Sequence, residues 1–154
     1  MANLFQDILD TPVYTLNYTL DTLHEAVSLL KKQMQTCAVL TFTGDLGAGK
    51  TTLVQELLAE CGVQEAVTSP TYAYLNVHEN QRGETFCHFD LYRIDSLGEF
   101  RAAGFYDYIY QEGSWALIEW PEPILSILDH AVCHVTIMYG SDLGSRVLQL
   151  RVIK

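Results

Sequence analysis

No apolar stretch in this 154-residue chain approaches the roughly 18 residues that a spanning helix needs, so a membrane helix is excluded. Met1-Ala2-Asn3-Leu4-Phe5-Gln6-Asp7 has neither a basic start nor a long apolar core, and no secretory signal is expected. Cysteine is scarce. Cys37, Cys61, Cys87 and Cys133 lie far apart, and none forms a C-x-x-C pair. They are expected as reduced, buried thiols of a cytoplasmic protein, which leaves out a disulfide scaffold. Positive charge is scarce too. Nine Lys and Arg face nineteen Asp and Glu, a net charge of −10, and Lys31-Lys32 is the only adjacent basic pair. A protein that tracks a phosphate backbone carries a basic stripe, so direct, unaided nucleic-acid binding is not expected. There is no internal repeat, low-complexity tract or linker, and the length fits one domain over residues 1–154.

What is present centres on Gly44-Asp45-Leu46-Gly47-Ala48-Gly49-Lys50-Thr51, which fits G-x-x-x-x-G-K-[ST]. The physical content of that pattern is specific. Glycines let successive backbone N–H groups turn toward phosphate oxygens. Lys50 would reach the β and γ phosphates, and the Thr51 hydroxyl would take one position on Mg²⁺. Ala38 to Thr43 ahead of it is a short apolar, β-branched run that reads as a strand. After it, Leu53, Val54, Leu57, Leu58 and Cys61 recur at helical spacing up to Gly62. Strand, glycine loop, helix is the order a P-loop requires.

Elsewhere the chain alternates between the two periods. Residues 1–13 lack a period and are interrupted at Pro12. A helix is expected over Thr19–Met34, its face built from Leu23, Ala26, Val27, Leu30 and Met34, with Thr22 and Glu25 as a capping box and His24 solvated. Tyr72–Val77 and Thr85–Phe89 read as an antiparallel hairpin around the turn material Glu79-Asn80-Gln81-Arg82-Gly83. Thr68, Ser69 and Thr71 ahead of it fit either turn chemistry or a nucleotide-sensing loop. Ser96 and Glu99 form a second capping box, for a helix ending before Gly104. Phe105–Tyr110 reads as an aromatic helical turn. Trp115–Glu119 is an apolar run ending in an acid, Ile124–Asp129 suggests one helical turn, and Val132–Tyr139 and Arg146–Ile153 read as final strands. His130, Cys133 and His134 do not suit a zinc site, because residues four apart on a strand lie about 13 Å from one another.

A P-loop site needs a carboxylate at the end of a neighbouring apolar strand. Asp90 and Glu119 both qualify. One would hold the metal; the other would orient or deprotonate the nucleophile. The residues alone leave the assignment open. A GTPase would need N-K-x-D, which is absent. A small-molecule kinase would need a lid with several arginines, whereas only Arg82 lies in a loop and Arg93 and Arg101 follow Asp90. An ATPase switch acting on a protein partner fits the acidic chain better, and a module that holds ATP without cleaving it is a third reading. No arginine finger is evident in cis.

Taken together, Gly44 to Thr52, Ser69-Pro70-Thr71-Tyr72, His88-Phe89-Asp90-Leu91-Tyr92-Arg93 and Ile118-Glu119-Trp120-Pro121-Glu122 resemble the bacterial TsaE family, formerly YjeE, in order and spacing. The chain departs from the family's pattern after Glu122, where Pro123-Ile124-Leu125 replaces a glycine-containing stretch. The resemblance implies an α/β fold, a P-loop NTPase-like three-layer sandwich with a mixed parallel and antiparallel central sheet flanked by helices. It implies an ATPase required for N6-threonylcarbamoyladenosine at position 37 of tRNA, acting with the TsaD and TsaB proteins and meeting tRNA only through them. ATP hydrolysis would reset that complex between cycles. By similarity, Asp45, Leu46, Gly47, Ala48, Gly49, Lys50, Thr51 and Thr52 bind the nucleotide, Thr51 and Glu119 hold Mg²⁺, and Asp90 activates water with Lys50 assisting. Trp120 would stand beside the metal-binding acid, and Thr68 to Tyr72 would be a switch-like segment.

Overall fold

The computed structural model describes residues 13–153. The reading of residues 1–12 lies outside them. Seven strands form one sheet: β1 (Tyr14–Tyr18), β2 (Val39–Thr43), β3 (Leu75–Glu79), β4 (Thr85–Asp90), β5 (Ser114–Glu119), β6 (Val132–Tyr139) and β7 (Arg146–Ile153), in the spatial order β1-β7-β6-β2-β5-β4-β3. The four central strands β6, β2, β5 and β4 run parallel, and the outer pairings are antiparallel. Strands buried on both faces need nearly continuous apolar runs. β2 and β5 have them, and both are central.

Side-chain alternation along these strands makes two cores. On one face, Leu40 and Phe42 of β2, Leu117 of β5 and Val135 and Ile137 of β6 meet the helices α1 (Leu23–Gln33) and α2 (Lys50–Glu60). On the other, Val39, Phe89, Ala116, Ile118 and Val132 meet the short helix α3 (Leu97–Ala102), with Phe100 at its centre, and the 3-10 segment Glu122–Ile127. This is the expected three-layer sandwich. All four cysteines are free and buried, and burial pushes the Cys87 thiol up to about 11, so it stays protonated at neutral pH.

Three local readings are corrected. The first helix begins at Leu23, not Thr19, and the Thr22–Glu25 capping box does not form. The Thr22 hydroxyl instead accepts the Thr19 N–H at 2.9 Å, closing a turn ahead of the helix. β3 starts at Leu75 rather than Tyr72, because Tyr74 has a left-handed φ of 65° and its N–H closes a turn onto the Pro70 carbonyl. Glu79 belongs to that strand rather than to the turn. The Ser96–Glu99 capping bond does form, at 3.2 Å.

Candidate nucleotide site

The glycine loop joins the end of β2 to the start of α2, at the carboxyl edge of the parallel strands. In open α/β sheets that edge is where ligands bind. The N-cap of α2 is Gly49 with a left-handed φ of 107°, so the helix opens with no side chain over its first amides. A cleft of about 360 Å³ lies there, lined on one side by Gly47, Gly49, Lys50, Thr51 and Thr52, and on the other by Ser69, Thr71, Asp90, Arg93, Glu119 and Trp120.

Asp90 and Glu119 are register partners on the parallel strands β4 and β5. Such partners project to the same face about 4.8 Å apart, so both carboxylates reach the cleft. They have different neighbours. Glu119 accepts the Thr51 hydroxyl on both oxygens, at 3.0 and 2.8 Å, and His88 Nε2 lies 2.8 Å from its Oε1. His88 and Glu119 are 0% and 2% exposed. Asp90 Oδ1 accepts the Tyr92 N–H at 3.1 Å, while its Oδ2 accepts the hydroxyls of Thr71 at 3.0 Å and Ser69 at 3.3 Å. Ser69 and Thr71, but not Thr68, are thus tied to a strand-end acid, beyond plain turn chemistry.

Lys50 is buried. Its Nζ donates to the carbonyls of Gly44 at 2.7 Å and Asp45 at 2.9 Å, and stands 3.9 Å from the centre of the Trp120 ring. Trp120 itself has a positive φ of 57°, a conformation costing a non-glycine residue about 1–3 kcal/mol, which turns its ring back toward the lysine. Burial pushes the Lys50 ammonium below the usual lysine value, while the Glu119, Glu122, Asp90 and Asp45 carboxylates pull it back up.

Of the expected residues, Leu46, Gly47, Gly49, Lys50, Thr51, Thr52, Asp90 and Glu119 all line the cleft, whereas the Asp45 and Ala48 side chains do not. Two residues of the His88–Arg93 motif had no role assigned from the sequence. Arg93 borders the cleft with its guanidinium 4.8 Å from the Tyr72 ring. His88 holds Glu119; its signal was available, since His88 and Asp90 two apart on one strand must share a face. Arg82, the kinase reading's loop arginine, is engaged with Glu84 at 2.7 Å and is not part of the cleft lining. His130 stacks on Tyr110, Cys133 lies in the core under α1 and α2, and His134 sits on the opposite face against Thr41, so the three do not converge.

A family model described as threonylcarbamoyl adenosine biosynthesis protein TsaE matches residues 18–147. The chain belongs to the TsaE family. Proteins named tRNA threonylcarbamoyladenosine biosynthesis protein TsaE are among its relatives. The one from Haemophilus influenzae is 40% identical over 114 residues, covering 74% of this chain and 71% of that protein. Those from Treponema pallidum and Rickettsia prowazekii are 35% identical over 109 residues and 31% over 126, covering 71% and 81% of this chain and 78% and 85% of theirs. The crystal structure of Bacillus subtilis YdiB shares the fold, with a TM-score of 0.62 at 24% identity over 93% of this chain and 88% of that one. No helix among the described residues is long and apolar enough to cross a membrane.

Proposed function

We propose that residues 1–154 act as a single Mg²⁺-dependent ATPase domain serving N6-threonylcarbamoyladenosine synthesis on tRNA in the cytoplasm, and that hydrolysis resets a complex of the TsaD and TsaB proteins. The observation that carries this reading is the contact of Thr51 with Glu119 at the foot of a glycine loop, beside a buried lysine. A hydroxyl and a carboxylate are hard oxygen donors, and Mg²⁺ is ordinarily held by one or two such groups with substrate phosphates completing its shell. The donor set fits Mg²⁺ and not zinc. When bound, Mg²⁺ supplies neutralisation of charge on the β and γ phosphate oxygens.

In this proposal the amides from Asp45 to Thr52 hold the phosphates, and Lys50 exchanges the Gly44 and Asp45 carbonyls for phosphate oxygens. Thr51 and Glu119 hold the metal, with His88 orienting the carboxylate. Asp90 takes the proton of the attacking water through Oδ2, the oxygen it shares with Ser69 and Thr71. A shift of the loop over 68–72 would exchange those hydroxyls for water, so nucleotide and partner could both act on this segment. The net charge of −10 supports contact with tRNA through partners and not directly.

Calorimetry with ATP and Mg²⁺ on wild type and Lys50→Ala tests the binding site, and a large loss of affinity is expected. Hydrolysis is expected to be slow alone and faster with TsaB and TsaD. Co-elution with those proteins, and modified tRNA formed only when ATP is present, would support the pathway role. Equal affinities for the two chains, or turnover of tens per second by the isolated chain, would refute the respective parts.

A further inference from the structure

The outer side of the glycine loop is covered by the hairpin of β6 and β7. A Cβ at Gly44 would run into the Ile137 carbonyl oxygen, so loop and strand touch there. The Tyr139 hydroxyl donates to the Leu46 carbonyl at 3.3 Å, and a Cβ on Gly47 would lie 3.4 Å from that hydroxyl. Arg146 Nε donates to the Ala48 carbonyl at 2.9 Å. Its guanidinium also sits 4.6 Å from the centre of the Tyr139 ring and donates to the Ser145 carbonyl at 2.9 Å.

We propose that Arg146, assisted by Tyr139, is a positioning residue that turns the loop's amides into the cleft. The proposal rests on the reading that this loop binds phosphate. In a trans peptide the C=O and the following N–H point in opposite directions. Holding the Ala48 carbonyl on Arg146 therefore faces the Gly49 N–H away from the hairpin, and holding the Leu46 carbonyl on Tyr139 does the same for the Gly47 N–H. Gly47 and Gly49 both border the cleft. Both also have left-handed φ values, 79° and 107°, in a residue type that visits either sign of φ with little cost. Such a loop can flip its peptides, and the two side chains select one orientation before any ligand arrives. Arg146 is well fixed for that work. It opens β7 and is in register with Tyr18 of β1 on one side and Tyr139 of β6 on the other.

The test compares wild type with Arg146→Met, Arg146→Lys and Tyr139→Phe. Affinities for ADP and for tripolyphosphate are measured by calorimetry without Mg²⁺, and the Gly47 and Gly49 amide resonances are followed in the free proteins. Arg146→Met is expected to weaken both ligands by the same factor, about tenfold, as for loss of one charged hydrogen bond. It is expected to shift or broaden both glycine amides. Arg146→Lys, which can still donate to the Ala48 carbonyl, restores most of the affinity. Tyr139→Phe, the removal of a single exposed hydroxyl, gives a loss of about threefold and moves the Gly47 amide. Unchanged affinity in Arg146→Met, a loss confined to ADP, or no rescue by lysine would overturn the proposal while leaving phosphate binding intact. A wild-type chain that binds neither ligand would overturn the phosphate reading itself.

Discussion

Replacing Glu119 by glutamine separates holding a metal from holding the fold together. The carboxylate is 2% exposed and takes the Thr51 hydroxyl on both oxygens and His88 on one. Glutamine keeps one acceptor oxygen and loses the charge. Thr51 and His88 must then share that oxygen, and a buried donor left without a partner costs about 1–3 kcal/mol. The expected net loss is about 1–2 kcal/mol, a melting shift of roughly 3–6 °C for a domain of this size. Glu119→Ala would remove both acceptors at once, and each buried donor left without a partner costs about 1–3 kcal/mol, together a large share of a typical total of about 5–15. Glutamine is therefore the informative change. Its effect on metal should be larger than its effect on folding. Losing a partner one shell out from a metal already costs about ten- to a hundredfold in affinity, so losing a direct ligand should cost about a hundredfold or more. Calorimetry of ATP binding, with Mg²⁺ and with a chelator, reads the metal-dependent gain directly. That gain should collapse in Glu119→Gln while the metal-free affinity stays within about threefold. An unchanged metal-dependent gain would remove Glu119 from the metal site, and Asp90 would take its place.

Asp90→Asn should bind ATP like wild type but lose about 10²-fold or more in turnover with partners, in line with removal of a general base; unchanged turnover would take Asp90 out of the chemistry. Gly44→Ala should destabilise the fold by at least about 2 kcal/mol, since the new Cβ meets the Ile137 carbonyl and φ is 145°; a denaturation midpoint equal to wild type would show that the loop yields there. His134 gives a pH prediction. Burial, with Arg151 adding to it, pushes its pKa from 6.5 down to about 4. The unfolded chain therefore takes up this proton near pH 6.5 while the folded chain resists it until about pH 4. Stability is full above about pH 6.5 and falls as pH drops toward 4, by on the order of 3 kcal/mol. His134→Gln should flatten that part of the profile, and an unaltered slope would refute the assignment.

Elements with strong local signals were readable from the chain alone. β6 and β7 have the expected bounds, and the strand, loop and helix over residues 39–60 follow the expected order. Much of what escaped depends on contacts distant in sequence. Tyr14–Tyr18 shows little alternation and is mostly exposed. It is a strand because β7, more than a hundred residues later, offers it a partner in register from Leu150 to Arg146. Tyr72-Ala73-Tyr74 has strand composition, yet the Pro70–Tyr74 turn overrides the propensity. Arg146 gave no local sign at all. Its contact with Ala48 spans 98 residues and exists only because two antiparallel pairings place the start of β7 beside the loop.

The separate roles proposed for the two acids rest on different neighbours around a shared face. In sequence they are equivalent: each ends an apolar strand. In the sheet they are register partners, so the backbone does not distinguish them either. Their neighbours do. Glu119 is bracketed by a hydroxyl on the first turn of α2 and by a histidine with no exposure at all. These contacts hold the carboxylate in one orientation, as the proposed metal ligand requires. Asp90 is fixed at one oxygen by a backbone amide but meets two hydroxyls at the other, carried by a loop whose Ser69 and Tyr72 are exposed. An acid with one anchored and one exchangeable oxygen suits a group that must receive a proton from water. The same pairing ties that exchange to the loop, because Ser69 and Thr71 cannot withdraw without freeing Oδ2, and Tyr72 cannot shift without releasing Arg93. A partner protein that moves this segment would thus act on Asp90, the proposed proton acceptor, and on the one arginine among the cleft-lining residues in a single motion.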